Sequence, residues 1–166
     1  MTKDVLFVCV ENAGRSQMAE AFFRKFSEGK FNVISAGTVP SGNLNPVVVE
    51  VMKEIGIDMT NQSPKTLSQS MISNSFKTVN MGCMDKESCP ALFVKDVIDW
   101  NIPDPKEKTI NMGCMDKESC PALFVKDVID WNIPDPKEKT IEQVREIRDQ
   151  IKSEVLNFIT SIDNER

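Results

Sequence analysis

The chain opens with a short, continuous apolar run, Val5 to Val10 (VLFVCV), closed by Glu11 and Asn12. A β-branched run of that length, with no alternation of polar positions, predicts a central strand of a parallel sheet buried on both faces. After a short polar loop the period changes. Met18, Phe22 and Phe26 recur four apart with Ala19 and Phe23 beside them, which predicts a helix from Ser16 to about Phe26. Phe31 to Ala36 (FNVISA) reads as a second strand ended by Gly37, and Val39 to Leu44 as a loop rich in Pro, Ser, Gly and Asn. Asn45 then caps a helix that has Pro46 at its first position and Gly56 just past its end. Next come a polar stretch (TNQSPKT), a short weak helix around Ser68 to Ser73, a third strand over Phe76 to Met81 and a fourth over Val94 to Trp100. Val144, Ile147, Ile151, Val155 and Phe158 mark a terminal helix running to about Ile162. This alternation predicts an α/β fold, a three-layer, doubly wound, four-stranded parallel sheet whose ligand site lies beyond the carboxyl ends of the strands. Cys9, Gly37, Cys83 and Asp104 all fall at such ends.

A length of 166 residues suits one domain with a real core, and 40% apolar with 27% charged residues excludes disordered and low-complexity classes. The absence of histidine removes serine-histidine triads, histidine-ligated metals and imidazole acid-base chemistry, so catalysis must use Cys, Asp, Glu, Lys, Arg or Ser. A net charge of -5 argues against nucleic-acid binding, so any anion must be bound locally. With no apolar run long enough for a signal peptide core or a membrane span, a soluble cytoplasmic chain is expected; its expected state is a monomer. In that setting Cys9, Cys83, Cys89, Cys114 and Cys120 read as reduced thiols with catalytic, redox or metal roles.

One feature alters the plan of the domain: residues 80–110 recur letter for letter as residues 111–141. Two identical copies are not a solenoid, whose units drift in sequence and number three or more. A sheet of this kind has room for one third strand and one fourth. A single domain over residues 1–166 with one copy looped out is therefore expected, at a cost of about 3 kcal/mol against a typical stability of about 5–15 kcal/mol. The first copy, synthesised first and directly continuing the N-terminal part, is slightly favoured to occupy the fold. An arrangement combining Cys83 and Cys89 with Asp135 is nearly as good.

The chemistry concentrates in Cys9-Val10-Glu11-Asn12-Ala13-Gly14-Arg15-Ser16, where a thiol ends the first strand and an arginine six residues on begins a helix. Such a turn curls the backbone N–H groups of Val10, Glu11, Asn12, Ala13, Gly14 and Arg15 inward as a nest for a tetrahedral oxyanion, and the helix N-terminus adds positive field. The Arg15 fork can hold two oxyanion oxygens. Cys9 would be the nucleophile, its thiolate favoured by the same field and by a hydrogen bond from Ser16. Asn12 and Gly14 suit the tight backbone, and Glu11, a negative charge in an anion loop, should point outward.

CVENAGRSQMAE resembles the signature of the low-molecular-weight tyrosine phosphatase superfamily, including its thioredoxin-coupled arsenate reductases. The resemblance implies that an Asp-Pro late in the chain is the general acid. Both Asp104, in Ile102-Pro103-Asp104-Pro105, and Asp135, in Ile133-Pro134-Asp135-Pro136, match it. The phosphatase branch typically follows this Asp-Pro with aromatic residues. Here Lys106 follows the first copy's Asp-Pro, and Cys83 with Cys89-Pro90 resembles the redox segment of the reductase branch. By that resemblance Cys9 attacks arsenate and Cys83 attacks Cys9, releasing arsenite. Cys89 then attacks Cys83 and carries the disulfide to thioredoxin, with no tightly bound cofactor. Cys114 and Cys120 are duplicate relay candidates. A zinc site is disfavoured by the spacing of the thiols and the lack of histidine, so no metal is assigned. A phosphatase acting on the same oxyanion loop and a non-catalytic anion-binding remnant are the alternatives.

Overall fold

The computed structural model describes residues 3–81, 128–131 and 133–165. Its centre is β1 (Lys3–Cys9), buried from Val5 onward, with β2 (Phe31–Gly37) on one side and β3 (Lys77–Asn80) on the other. A fourth strand, β4 (Val128–Asp130), extends the sheet beyond β3, giving the order β2-β1-β3-β4 with every pairing parallel. The absence of polar alternation in β1 has its cause here. Val5, Phe7 and Cys9 face a core shared with α1 (Arg15–Phe26), α2 (Pro46–Glu54) and α4 (Ile141–Asp163). Leu6 and Val8 face the other side, under Leu67 and Ile72 of the segment that includes α3 (Gln69–Asn74). Helices thus cover both faces of the sheet, as the alternation predicts. No helix among the described residues is long and apolar enough to cross a membrane.

The larger core is organised around Phe7, whose ring has Phe23, Trp131 and Phe158 at centroid distances of 5.8, 5.7 and 6.4 Å in edge or tilted contacts. The helix ends follow the sequence closely. The Asn45 side chain accepts from Val47 N–H at 3.0 Å ahead of Pro46, and Gly56 takes a φ of +73° just past α2. Thr140 and Gln143 form a reciprocal capping box that starts α4.

The structure differs from expectation in which copy builds the sheet. Val128–Asp130 belongs to the second copy, and its register, Thr78 with Val128 to Asn80 with Asp130, joins it directly to β3. The slight preference for the first copy is therefore corrected. The strand expected at residues 94–100 lies outside the described residues, as do Cys83, Cys89, Asp104, Cys114 and Cys120. Since the two copies are identical, only the chain beyond each of them can decide between them. The second copy runs straight into α4, whose cap needs Thr140 and Gln143 together, whereas Thr109 has Met112 at the corresponding position. Chain entropy works the same way. Lengthening the connection between β3 and β4 costs about 0.3 kcal/mol less than lengthening the shorter one between β4 and α4.

Candidate active site

Cys9 is the last residue of β1 and is 3% exposed, and Arg15 is the first of α1. The five residues between them are shaped by the segment after β2. The carbonyls of Cys9, Val10, Glu11 and Ala13 accept from the N–H groups of Thr38, Val39, Ser41 and Asn45 at 2.9–3.1 Å. A trans peptide sets its carbonyl and the next N–H on opposite sides, so carbonyls turned out to this jacket turn the N–H groups of Val10, Glu11, Asn12 and Gly14 inward. The nest is thus imposed by Thr38, Val39, Ser41 and Asn45, of a segment that sequence alone reads as a loop over Val39 to Leu44 followed by the helix cap Asn45. Gly37 lets the jacket come this close. A Cβ there would lie 2.4 Å from the Val10 carbonyl oxygen.

Within the nest the Cys9 sulfur receives the Asn12 N–H at 3.2 Å and lies 2.8 Å from Ser16 Oγ. Asn12, at φ +50°, is fully buried and saturates its side-chain amide. Its Nδ2 donates to Ser16 Oγ at 2.7 Å and to Ser35 Oγ at 3.0 Å. Its Oδ1 accepts from Gln17 Nε2 at 2.9 Å and from Lys65 N–H at 2.8 Å. Because Ser16 accepts from Asn12, its own hydrogen is free to point at the sulfur, a direction that suits a thiolate. The line of donors ends at Glu20, which accepts from Ser35 and pairs with Arg24 and Lys65. Ser35, Gln17 and Lys65 are members of this network that sequence reasoning missed. Two signals pointed to Gln17 and Ser35: Gln17 lies within CVENAGRSQMAE, and Ser35 lies on the strand that precedes Gly37.

Arg15 is held over the loop from the far side. Its Nη1 donates to the Ile133 carbonyl at 2.9 Å and its Nη2 to Asp135 Oδ2 at 3.1 Å. Asp135 leads a turn whose Lys137 N–H donates to Asp135 Oδ1 at 2.9 Å, and Trp131 and Ile133, both buried, anchor the chain leading into it. Glu11 points out of the loop and pairs with Lys137 Nζ at 3.0 Å. The hydrogen bond from Lys137 to Glu11, with that carboxylate's charge behind it, raises the Lys137 pKa above the ordinary lysine value. Cys9, Glu11, Gly14, Arg15, Asp135 and Lys137 line one small cleft, closed by Ala13, Asn45 and Pro136. A nucleophilic sulfur, inward N–H groups, a guanidinium and a carboxyl group thus share one opening. That set suits attack on a tetrahedral oxyanion. No group of three or more His, Cys, Asp or Glu side chains among the described residues could hold a metal ion.

Residues 4–118 match the family described as low molecular weight phosphotyrosine protein phosphatase. A putative arsenate reductase of Halobacterium salinarum is 32% identical over 161 residues, spanning 92% of this chain and 87% of that protein. Among solved structures, a thioredoxin-dependent arsenate reductase of Corynebacterium glutamicum superposes with a TM-score of 0.68 at 27% identity, over 99% of this chain and 64% of that one. An arsenate reductase in a phosphate-binding state also gives a TM-score of 0.68, at 25% identity, over 97% of this chain and 99% of that one.

Proposed function

The chain belongs to the low molecular weight phosphotyrosine protein phosphatase family, and from that premise we propose that it is an arsenate reductase coupled to thioredoxin. The observation that carries this reading is the Cys9 sulfur set among inward N–H groups, with Ser16 at 2.8 Å and Arg15 over the opening. The Cys9 thiolate attacks arsenic, and a hydroxyl group leaves as water with the proton supplied by Asp135. Arg15 and the loop amides hold the remaining oxygens. A second thiolate, Cys83, then attacks the Cys9 sulfur. The sulfur–arsenic electron pair goes to arsenic, As(V) leaves as arsenite, and a Cys9–Cys83 disulfide remains. Cys89 attacks Cys83 and frees Cys9, and the Cys83–Cys89 disulfide takes two electrons from the dithiol of thioredoxin. Cys114 and Cys120 are the second candidates for the relay. The assignment of these thiols rests on the family pattern.

The arsenate reductase relatives support this reading, as does a lysine, not an aromatic residue, after the Asp135-Pro136 pair. Phosphomonoester hydrolysis is the second reading. Cys9, Arg15 and Asp135 suffice for it, and the matched family is named for it. The test is to mix reduced protein with arsenate, thioredoxin, thioredoxin reductase and NADPH and follow NADPH. Steady arsenate-dependent oxidation is expected, and it should be absent when the four relay candidates are replaced by Ser, since no second thiol then forms a disulfide for thioredoxin to reduce. If NADPH is not consumed while p-nitrophenyl phosphate is hydrolysed, the chain is a phosphatase or a reductase whose relay the duplication has broken.

A further inference from the structure

The turn that carries Asp135 crosses the oxyanion loop in antiparallel order and touches it at three places. Asp135 meets Arg15 at 3.1 Å, Pro136 packs on Gly14, and Lys137 Nζ reaches Glu11 Oε1 at 3.0 Å. The Gly14 contact is close enough that a Cβ there would lie 2.7 Å from Pro136 Cγ. The first contact unites the anion-holding arginine with the candidate acid. The third has no part in the chemistry proposed above, yet it joins the only carboxylate in the loop to a cation on the turn, both of them on the wall of the cleft.

We propose that the Glu11–Lys137 ion pair, strapped across the mouth of this cleft, is a specificity element that admits a free tetrahedral oxyanion and disfavours its organic esters. The inference deepens the reading above by setting the substrate class, and it rests on the Cys9 loop being the oxyanion site. An ester binds with its bridging oxygen toward the acid, so its substituent must leave past Asp135, Pro136 and Lys137. A free oxyanion has no substituent and lies wholly beneath the pair. The pair also cancels the charge that Glu11 would otherwise present to an incoming anion. Breaking one side alone therefore changes the field felt by every anion, whereas removing both sides leaves net charge constant and opens the mouth.

That difference defines the test. Protection of Cys9 from alkylation by iodoacetamide is titrated with inorganic phosphate and with phenyl phosphate. In the wild-type chain inorganic phosphate should protect at the lower concentration. Lys137→Gln should weaken both ligands together and Glu11→Gln should strengthen both, by about three- to fivefold, the scale of an exposed ion pair. The double variant Glu11→Gln/Lys137→Gln should improve phenyl phosphate alone, narrowing the ratio about three- to fivefold or more. Reversal of the pair, Glu11→Lys with Lys137→Glu, should restore the wild-type ratio, as the pair and not either side chain by itself sets it. A ratio unchanged in the double variant overturns the proposal. Because the readout is binding, the expected ratios in a protein that fails to consume NADPH with arsenate would reject the reductase reading and leave this one standing.

Discussion

Replacing Gly14 with Ala tests whether the turn that carries Asp135 places the acid. The added methyl would sit 2.7 Å from Pro136 Cγ, with Pro136 Cδ and Val48 Cγ2 both at an ordinary 3.6 Å. Carbon atoms settle no closer than about 3.5 Å, so Pro136 must retreat by about 0.8 Å. Gly14 itself cannot yield, since its carbonyl accepts from Met18 N–H and the Ala13 carbonyl accepts from Asn45 N–H, each at 2.9 Å. The turn moves instead and takes Asp135 off Arg15. Displacement of a reacting group by about 1 Å can cost a hundredfold in rate, so single-turnover release of arsenite should fall by about ten- to a hundredfold. Overpacking should lower the unfolding free energy by about 1–3 kcal/mol. The added methyl is directed at Pro136 and Val48 and not at Cys9, so alkylation of Cys9 should stay within about twofold of wild type on this geometry. The assay is quench-flow on reduced protein without thioredoxin, with alkylation followed in parallel. Arsenite release at the wild-type rate from a folded Gly14→Ala protein would refute the assignment of the acid to this turn.

The duplicated acid gives a second prediction. Asp135→Asn should cut the same rate by about a hundredfold or more, the usual scale of a lost general acid, while Asp104→Asn leaves it unchanged. Asn12→Gly and Asn12→Ala both empty the centre of the buried network, but only alanine also meets the left-handed backbone at φ +50°. In urea titrations alanine should therefore be the less stable of the two, by about 1 kcal/mol. Glu154 supplies a pH test. Burial raises its pKa from 4.5, and one carboxylate oxygen is buried without a partner. The folded chain then binds the proton more tightly than the unfolded one, so its favourable contribution is complete below pH 4.5 and is lost as pH rises through the raised value. Glu154→Gln should raise the melting temperature at pH 7 by about 1–2 °C, with the gain gone in acid.

Some of this architecture is written locally and some is not. Val5 to Val10 announces a strand covered on both sides because every side chain in it is apolar. Asn45, Pro46 and Gly56 bracket α2 because caps act on their own helix. The oxyanion loop is legible for the same reason, since a strand end, a tight turn and a helix start are consecutive in sequence. The identity of the copy that completes the sheet is not local. Two identical segments carry identical information, and the helix after Thr140 separates them. Asn12 shows the same limit. Its tolerance of a left-handed backbone comes with its residue type, but its role as hub depends on Ser35 and Lys65, which arrive from β2 and from the segment after α2. Glu11 could be expected to face outward, but its partner is 126 residues away.

The placement of Trp131 has a spectroscopic consequence. The chain has two tryptophans, Trp100 and Trp131, at the same position of the two copies. Trp131 is 1% exposed, wedged between Phe7 and Phe158. Indole shut away from water emits to the blue, so Trp131 marks the docked copy with its own optical signature. Substituting phenylalanine for Trp131 should erase the blue-edge emission, while the same change at Trp100 should spare it. A fluorimeter can then report which of two chemically indistinguishable stretches of one polypeptide sits in the core, without labels and while the protein is at work.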